Sequence, residues 1–104
     1  MREIIEMLLD QADEVTMADN TRGKAIQVQL TLVGKELSGA LTRALDADGK
    51  PIYGFYKLLS LGEMQDRAGG RSQTVLVECY VHANAIQSLN RIMPKPLVEI
   101  PPTQ

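Results

Sequence analysis

His82 is the only histidine in the chain, and Cys79, three residues before it, is the only cysteine. An imidazole at this place can stack on a base, take up a proton near neutral pH or bind a metal. The plainer alternative is a partly exposed strand residue beside Glu78 and Tyr80. One His and one Cys do not make a zinc site, which normally needs three or four such ligands. Cys79 keeps step with Val77 and Val81, so it reads as a buried, unreactive thiol rather than a nucleophile. Asp46 and Asp48 are spaced to bracket a cation or to act as an acid/base pair. The run Asp46-Ala47-Asp48-Gly49 is, however, above all the chemistry of a turn. Gly34-Lys35-Glu36-Leu37-Ser38-Gly39 begins like a phosphate-binding loop, but Ala40 and Leu41 stand where that loop needs Lys and Ser or Thr. A single His leaves no credible Ser–His–acid set. The chain does not read as an enzyme, and no metal or cofactor is implied.

Tyr53, Phe55 and Tyr56, followed by Lys57, are the remaining concentration of chemistry. The chain holds only four aromatic residues, and three of them fall within these four positions. Aromatic rings beside a base can stack on nucleotides or anchor an interface. They can equally be core plus one surface ring. Neighbours on a strand face opposite ways, so Tyr53 and Phe55 cannot be inside together with Tyr56. At least one tyrosine must meet solvent or a partner.

The elements that would position these residues are mostly strands. Residues 3–15 predict a helix, with Ile5, Leu8, Leu9 and Ala12 on one stripe and Ile4 and Val15 at its margins. Asp13 and Glu14 sit badly at the negative end of that helix. At about three turns it is too short to stand alone and must dock its leucine stripe. Residues 17–24 form a polar connection, with turn chemistry at Asp19-Asn20 and at Gly23. From Ala25 to Val33 the chain alternates, Ile26, Val28, Leu30 and Leu32 on one face and Gln27, Gln29 and Thr31 on the other. That is a half-buried strand. Gly34-Lys35 supplies a tight turn into a second strand over residues 36–45, where Gly39 marks a bend, a bulge or a close backbone approach. A third strand is expected over residues 52–61 and a mobile surface loop over residues 62–72, centred on Gly69-Gly70. A fourth strand is expected over residues 73–83 and a fifth, or a turn and a strand, over residues 86–92. Four prolines (Pro94, Pro96, Pro101 and Pro102) make the tail extended, with Leu97, Val98 and Ile100 apolar enough to dock.

The chain of 104 residues reads as one domain: helix 1–16, connection 17–24, barrel 25–92 and Pro-rich tail 93–104. Apolar residues make up 44%, which excludes wholesale disorder, and without Trp the core must be aliphatic. The net charge is −2, unevenly spread. Residues 1–20 carry six acids and one base; residues 21–104 carry ten bases and seven acids. The β body is therefore mildly basic, which keeps a nucleic-acid partner open without requiring one. No apolar run is long enough to cross a membrane, the acidic start is unlike a signal peptide, and one cysteine cannot form an internal disulfide. A cytoplasmic protein is expected.

One helix followed by about five antiparallel strands predicts a mainly β, α+β domain forming a small, strongly bent barrel. So few strands hide their edges only by closing or by pairing with another subunit, hence a homo-oligomer. Residues 28–46 resemble the first signature of the Sm-like family, with Gly34, Leu37, Gly39 and Leu41 at matching spacings. Asp46 falls one residue late, and the step from the first-strand Leu to Gly34 is also off by one. Residues 81–86 are similar to the second signature, with Leu89 where a further apolar residue belongs. Together the two stretches span about a quarter of the chain. The resemblance implies an Sm-like barrel and ring-like assembly. It implies RNA binding less well: His82 and Ala83 replace the Arg and Gly that help hold bases, and Asp48-Gly49 stands near the place of an Asn with the same task. A fainter likeness is to the U-type gas-vesicle accessory proteins, which pair a Leu-rich hairpin carrying a Ser-Gly-x-Leu step with a late His-containing strand. The expected function is a non-enzymatic, homo-oligomeric binding or scaffold module that takes a protein or small ligand. The alternatives are an RNA- or single-strand-binding ring and a small enzyme with a site between subunits. The residues expected to hold a ligand are Tyr53, Tyr56, Lys57, His82, Asn84 and Asp46.

Overall fold

The computed structural model describes residues 1–65, 69–70 and 72–92. The alternating segment at Ile26 opens a five-stranded antiparallel sheet. In chain order the elements are helix α1 (Arg2–Gln11), strands β1 (Glu14–Thr16), β2 (Arg22–Lys24), β3 (Ile26–Leu32), β4 (Lys35–Leu45), β5 (Pro51–Gln65) and β6 (Ser72–His82), a 3-10 turn (Ala83–Ala85) and β7 (Ser88–Arg91). The main sheet runs β6-β5-β4-β3-β7, and β1 and β2 form a separate two-stranded ribbon. The fold is mainly β with α+β character, as expected. No helix among the described residues is long and apolar enough to cross a membrane.

Period-two patterning fixes which residues reach the core. Val28, Leu30, Leu41, Tyr56 and Leu58 are all essentially buried on one face of the sheet. Ile5 and Leu9 of α1 lie fully buried in the same cluster. Burying a side chain of this size is worth about 1.5–3 kcal/mol, so the leucine stripe, rather than helix propensity, holds this ten-residue helix in place. Polar contacts fix its angle. Arg43 on β4 donates to Glu6 and to Asp10, at 3.0 and 2.9 Å. Lys24 Nζ donates to the backbone carbonyl of Asp10 at 3.1 Å, satisfying an acceptor at the helix end.

Gly39 is a close approach: a Cβ there would stand 2.2 Å from the carbonyl oxygen of Leu59, so no other residue fits between β4 and β5. Val33 and Gly34 make the β3–β4 turn, one residue earlier than expected, with Gly34 at φ +80°. Asp46 holds the β4–β5 turn by accepting the amides of Asp48 and Lys50 on Oδ1, both at 2.9 Å.

Four expectations are corrected. The helix ends at Gln11, not residue 16: Ala12 is already extended, at ψ 155°, where the acids Asp13 and Glu14 oppose the helix dipole. The end of the expected helix and the end of the expected polar connection instead pair as the β1–β2 ribbon, Glu14–Thr16 against Arg22–Lys24, turning at Asn20 with φ +68°. The sheet is not a closed barrel. β6 and β7 end the strand order and are not bonded to each other. With eleven residues in β6 and four in β7, closure between them would still leave most of β6 unpaired. The third strand is longer than expected and runs into the expected loop, since β5 and β6 pair without a break from Phe55–His82 to Gln65–Ser72; the fourth keeps its expected length, one residue earlier. Part of the expected loop, residues 66–68 and 71, and the tail 93–104 lie outside the described residues.

Candidate ligand face beside the helix start

Pairing of Phe55 with His82 ends the β5–β6 ladder. Beyond it, Tyr53 and Gly54 on one strand come beside Ala83 and Asn84 of the 3-10 turn, and the first turn of α1 borders both. The resulting cleft measures about 170 Å³. Its features follow from local chemistry. His82 caps the 3-10 turn, its Nδ1 accepting the backbone amide of Asn84 at 3.0 Å. That bond leaves the neutral ring with its proton on Nε2. Gly54 has φ +81° and is buried against the ring: a Cβ there would lie 3.0 Å from His82 Nε2. Phe55 meets the imidazole edge-on, with centroids 4.7 Å apart and planes at 85°. The imidazole is thereby held in one orientation.

Tyr53 is 77% exposed. Arg2 reaches across its ring with the guanidinium carbon 4.2 Å from the centroid, a cation–π contact. Arg2 and Tyr53 also border a second cleft of about 190 Å³, shared with Glu6 and Arg43. Glu6 is not free there. Although burial works against its charge, hydrogen bonds from Arg43 and Tyr56 hold its carboxyl below the usual range. What faces outward is a stacked Tyr–Arg pair, a fixed imidazole and the exposed Asn84. Such a surface can stack and hydrogen-bond a planar ligand.

Three of the six expected ligand residues therefore meet: Tyr53, His82 and Asn84. The other three are placed elsewhere. Tyr56 is 1% exposed in the core, its hydroxyl donating to Glu6 Oε2 at 2.6 Å, and burial followed by that bond pushes the phenol pKa well up. Lys57 pairs with Asp19 at 3.2 Å and pins the ribbon turn to β5. Asp46 is committed to its turn. Cys79 is half-buried against the core. Among the described residues no three His, Cys, Asp or Glu side chains gather as metal ligands. Sequence reasoning missed Arg2, which counted only as a charge, and Gly54, whose place between two aromatic residues was the available signal.

No family model, curated protein or solved structure matches the chain.

Proposed function

We propose that the protein is a non-enzymatic, homo-oligomeric binding and scaffold module of Sm-like build, in which β6 of one copy pairs with β7 of the next. The single observation that carries this is the pair of open, unlike edges. Among the described residues β6 and β7 each have a neighbour on one side only. An unpaired edge presents N–H and C=O groups that bind another strand or invite uncontrolled aggregation. Two different edges on one sheet join head to tail, which closes into a ring when the rotation allows. Exposed apolar residues on the β5–β6 hairpin, among them Leu61, Leu76 and Val77, suit burial at such a contact. The Sm-like resemblance supports the same reading, since its first stretch falls on the β3–β4 hairpin and its second across the end of β6 and the 3-10 turn. A cytoplasmic location belongs to this reading, because the free thiol of Cys79 suits a reducing compartment.

Light scattering tests the assembly. Ile92 donates to the Gln27 carbonyl at 2.9 Å, so by alternation the amide of Arg91 points away from β3, toward the open edge. Arg91→Pro removes that outward donor without removing a bond to β3. The wild-type chain is expected to be a discrete oligomer at micromolar concentration and the variant a monomer. A strictly monomeric wild type contradicts the reading.

A second reading, a ring that binds single-stranded nucleic acid, is favoured by the exposed Tyr53–Arg2 stack beside His82 and Asn84. Filter binding with U-rich and A-rich oligomers tests it. Binding at about 50 mM salt that weakens as salt rises supports it, and no binding there removes it.

A further inference from the structure

His82 ends β6 and opens the 3-10 turn that carries the chain into β7. Its Nδ1 accepts the Asn84 amide at 3.0 Å. The Ile86 amide then donates to the Ala83 carbonyl at 3.2 Å, and the Gln87 amide to Thr31 on β3 at 2.7 Å, where β7 begins. Ala83 and Ile86 are buried in the core beside these bonds. The cap at His82 therefore stands first in a run of bonds that sets the start of an edge strand.

An imidazole accepts a hydrogen bond only while one of its nitrogens is unprotonated. The side chain ordinarily changes charge between about pH 5 and 8. The imidazolium carries a proton on both nitrogens, so no rotation of the ring restores an acceptor. Phe55, edge-on with centroids 4.7 Å apart, and Gly54 behind Nε2 hold the ring where it is. The charged and titratable groups around it are otherwise engaged. From α1, the Met1 ammonium, Arg2 and Glu3 border the cleft, with Glu3 3.8 Å from the ammonium. From β5, Tyr53 carries the Arg2 guanidinium over its ring. Further along the same side of the sheet, Tyr80 is bonded to Glu78 and Lys57 to Asp19. Among the described residues none of these groups is bonded to the imidazole.

We propose that His82 is a pH-responsive latch on this turn. Protonation withdraws the acceptor from the Asn84 amide, and the turn into β7 loosens. The bond favours the folded turn only while the imidazole is neutral. Its contribution is therefore present at neutral and alkaline pH and is lost as pH falls through the histidine range. The latch belongs to a single copy and depends neither on edge pairing nor on a bound ligand.

Nitrogen-detected NMR of the full-length protein tests it, combined with hydrogen exchange of the Asn84 amide taken relative to the intrinsic rate at each pH. The neutral imidazole is expected to carry its proton on Nε2. Protection of the Asn84 amide is expected to fall about fivefold along the same curve as the ring takes up its second proton. His82→Asn supplies a side-chain oxygen that caps the turn without titrating, and protection there should not change over this range. A neutral wild-type ring protonated on Nδ1, protection that stays constant while the ring titrates, or an equal fall in His82→Asn would each overturn the inference. Should that variant fail to fold, the wild-type tautomer and curve decide alone.

Discussion

Tyr56 and Glu6 join the sheet to the helix through a partly buried 2.6 Å hydrogen bond at the edge of the core. The same carboxylate takes Arg43 on its other oxygen, so three elements meet at one acid. Tyr56→Phe keeps the ring and removes the bond. A hydrogen bond to a charged group contributes about 1.5–3 kcal/mol, and because Glu6 keeps Arg43 the lower end applies. Urea denaturation should show a loss of about 1.5 kcal/mol.

Gly39 and Gly49 separate two reasons for glycine. At Gly39 a Cβ meets the Leu59 carbonyl at 2.2 Å, whereas at Gly49 it meets nothing and only φ +80° is at issue. Gly39→Ala should destabilise by about 3 kcal/mol, as overpacking against backbone does. Gly49→Ala should cost about 1 kcal/mol. Equal losses in thermal denaturation would contradict the close approach of β4 and β5.

Asp19 sits at a pKa of about 2 rather than 3.8, because the Thr21 hydroxyl and amide both donate to it and Lys57 lies beside it. A depressed carboxyl favours the folded state once it is ionised. This contribution is complete above the ordinary value and is lost as pH falls from about 4 toward 2. Glu6 shifts in the same direction. Asp19→Asn should lower stability near neutral pH by about 1 kcal/mol and flatten the acid limb of the stability–pH curve.

The exposed Tyr53 ring is the stacking element of the ligand face, and Tyr56 belongs to the core. If an oligonucleotide binds, Tyr53→Ala should weaken it about tenfold, since stacking on one aromatic contributes about 1–3 kcal/mol per base. Lys57→Ala should act mainly on stability through the lost Asp19 pair, with little change in binding measured by filter retention.

Strand content was legible because period-two alternation needs no tertiary information, as residues 26–32 illustrate. The Asp46 turn was legible from local hydrogen-bonding chemistry. The ribbon was not, because Val15 lies in step with the helical stripe, which hid its pairing with Gly23 across the Asn20 turn. The acids Asp13 and Glu14 carried the contrary signal. Tyr53, His82 and Asn84 of the ligand face were visible as residue types. The exclusion of Tyr56 depended on register, and the inclusion of Arg2 on where the helix docks, neither of which a local pattern contains. Closure of the sheet was misjudged because the number of strands does not fix how far the sheet curls, and β6 and β7 end the strand order without meeting.

Amide hydrogen exchange at Arg91 tests the edge-pairing account most directly, since this N–H faces the open side of β7 in a single copy. The account predicts slow exchange at concentrations where the protein is assembled and fast exchange after dilution to the monomer. Fast exchange of the Arg91 amide at every concentration would contradict it.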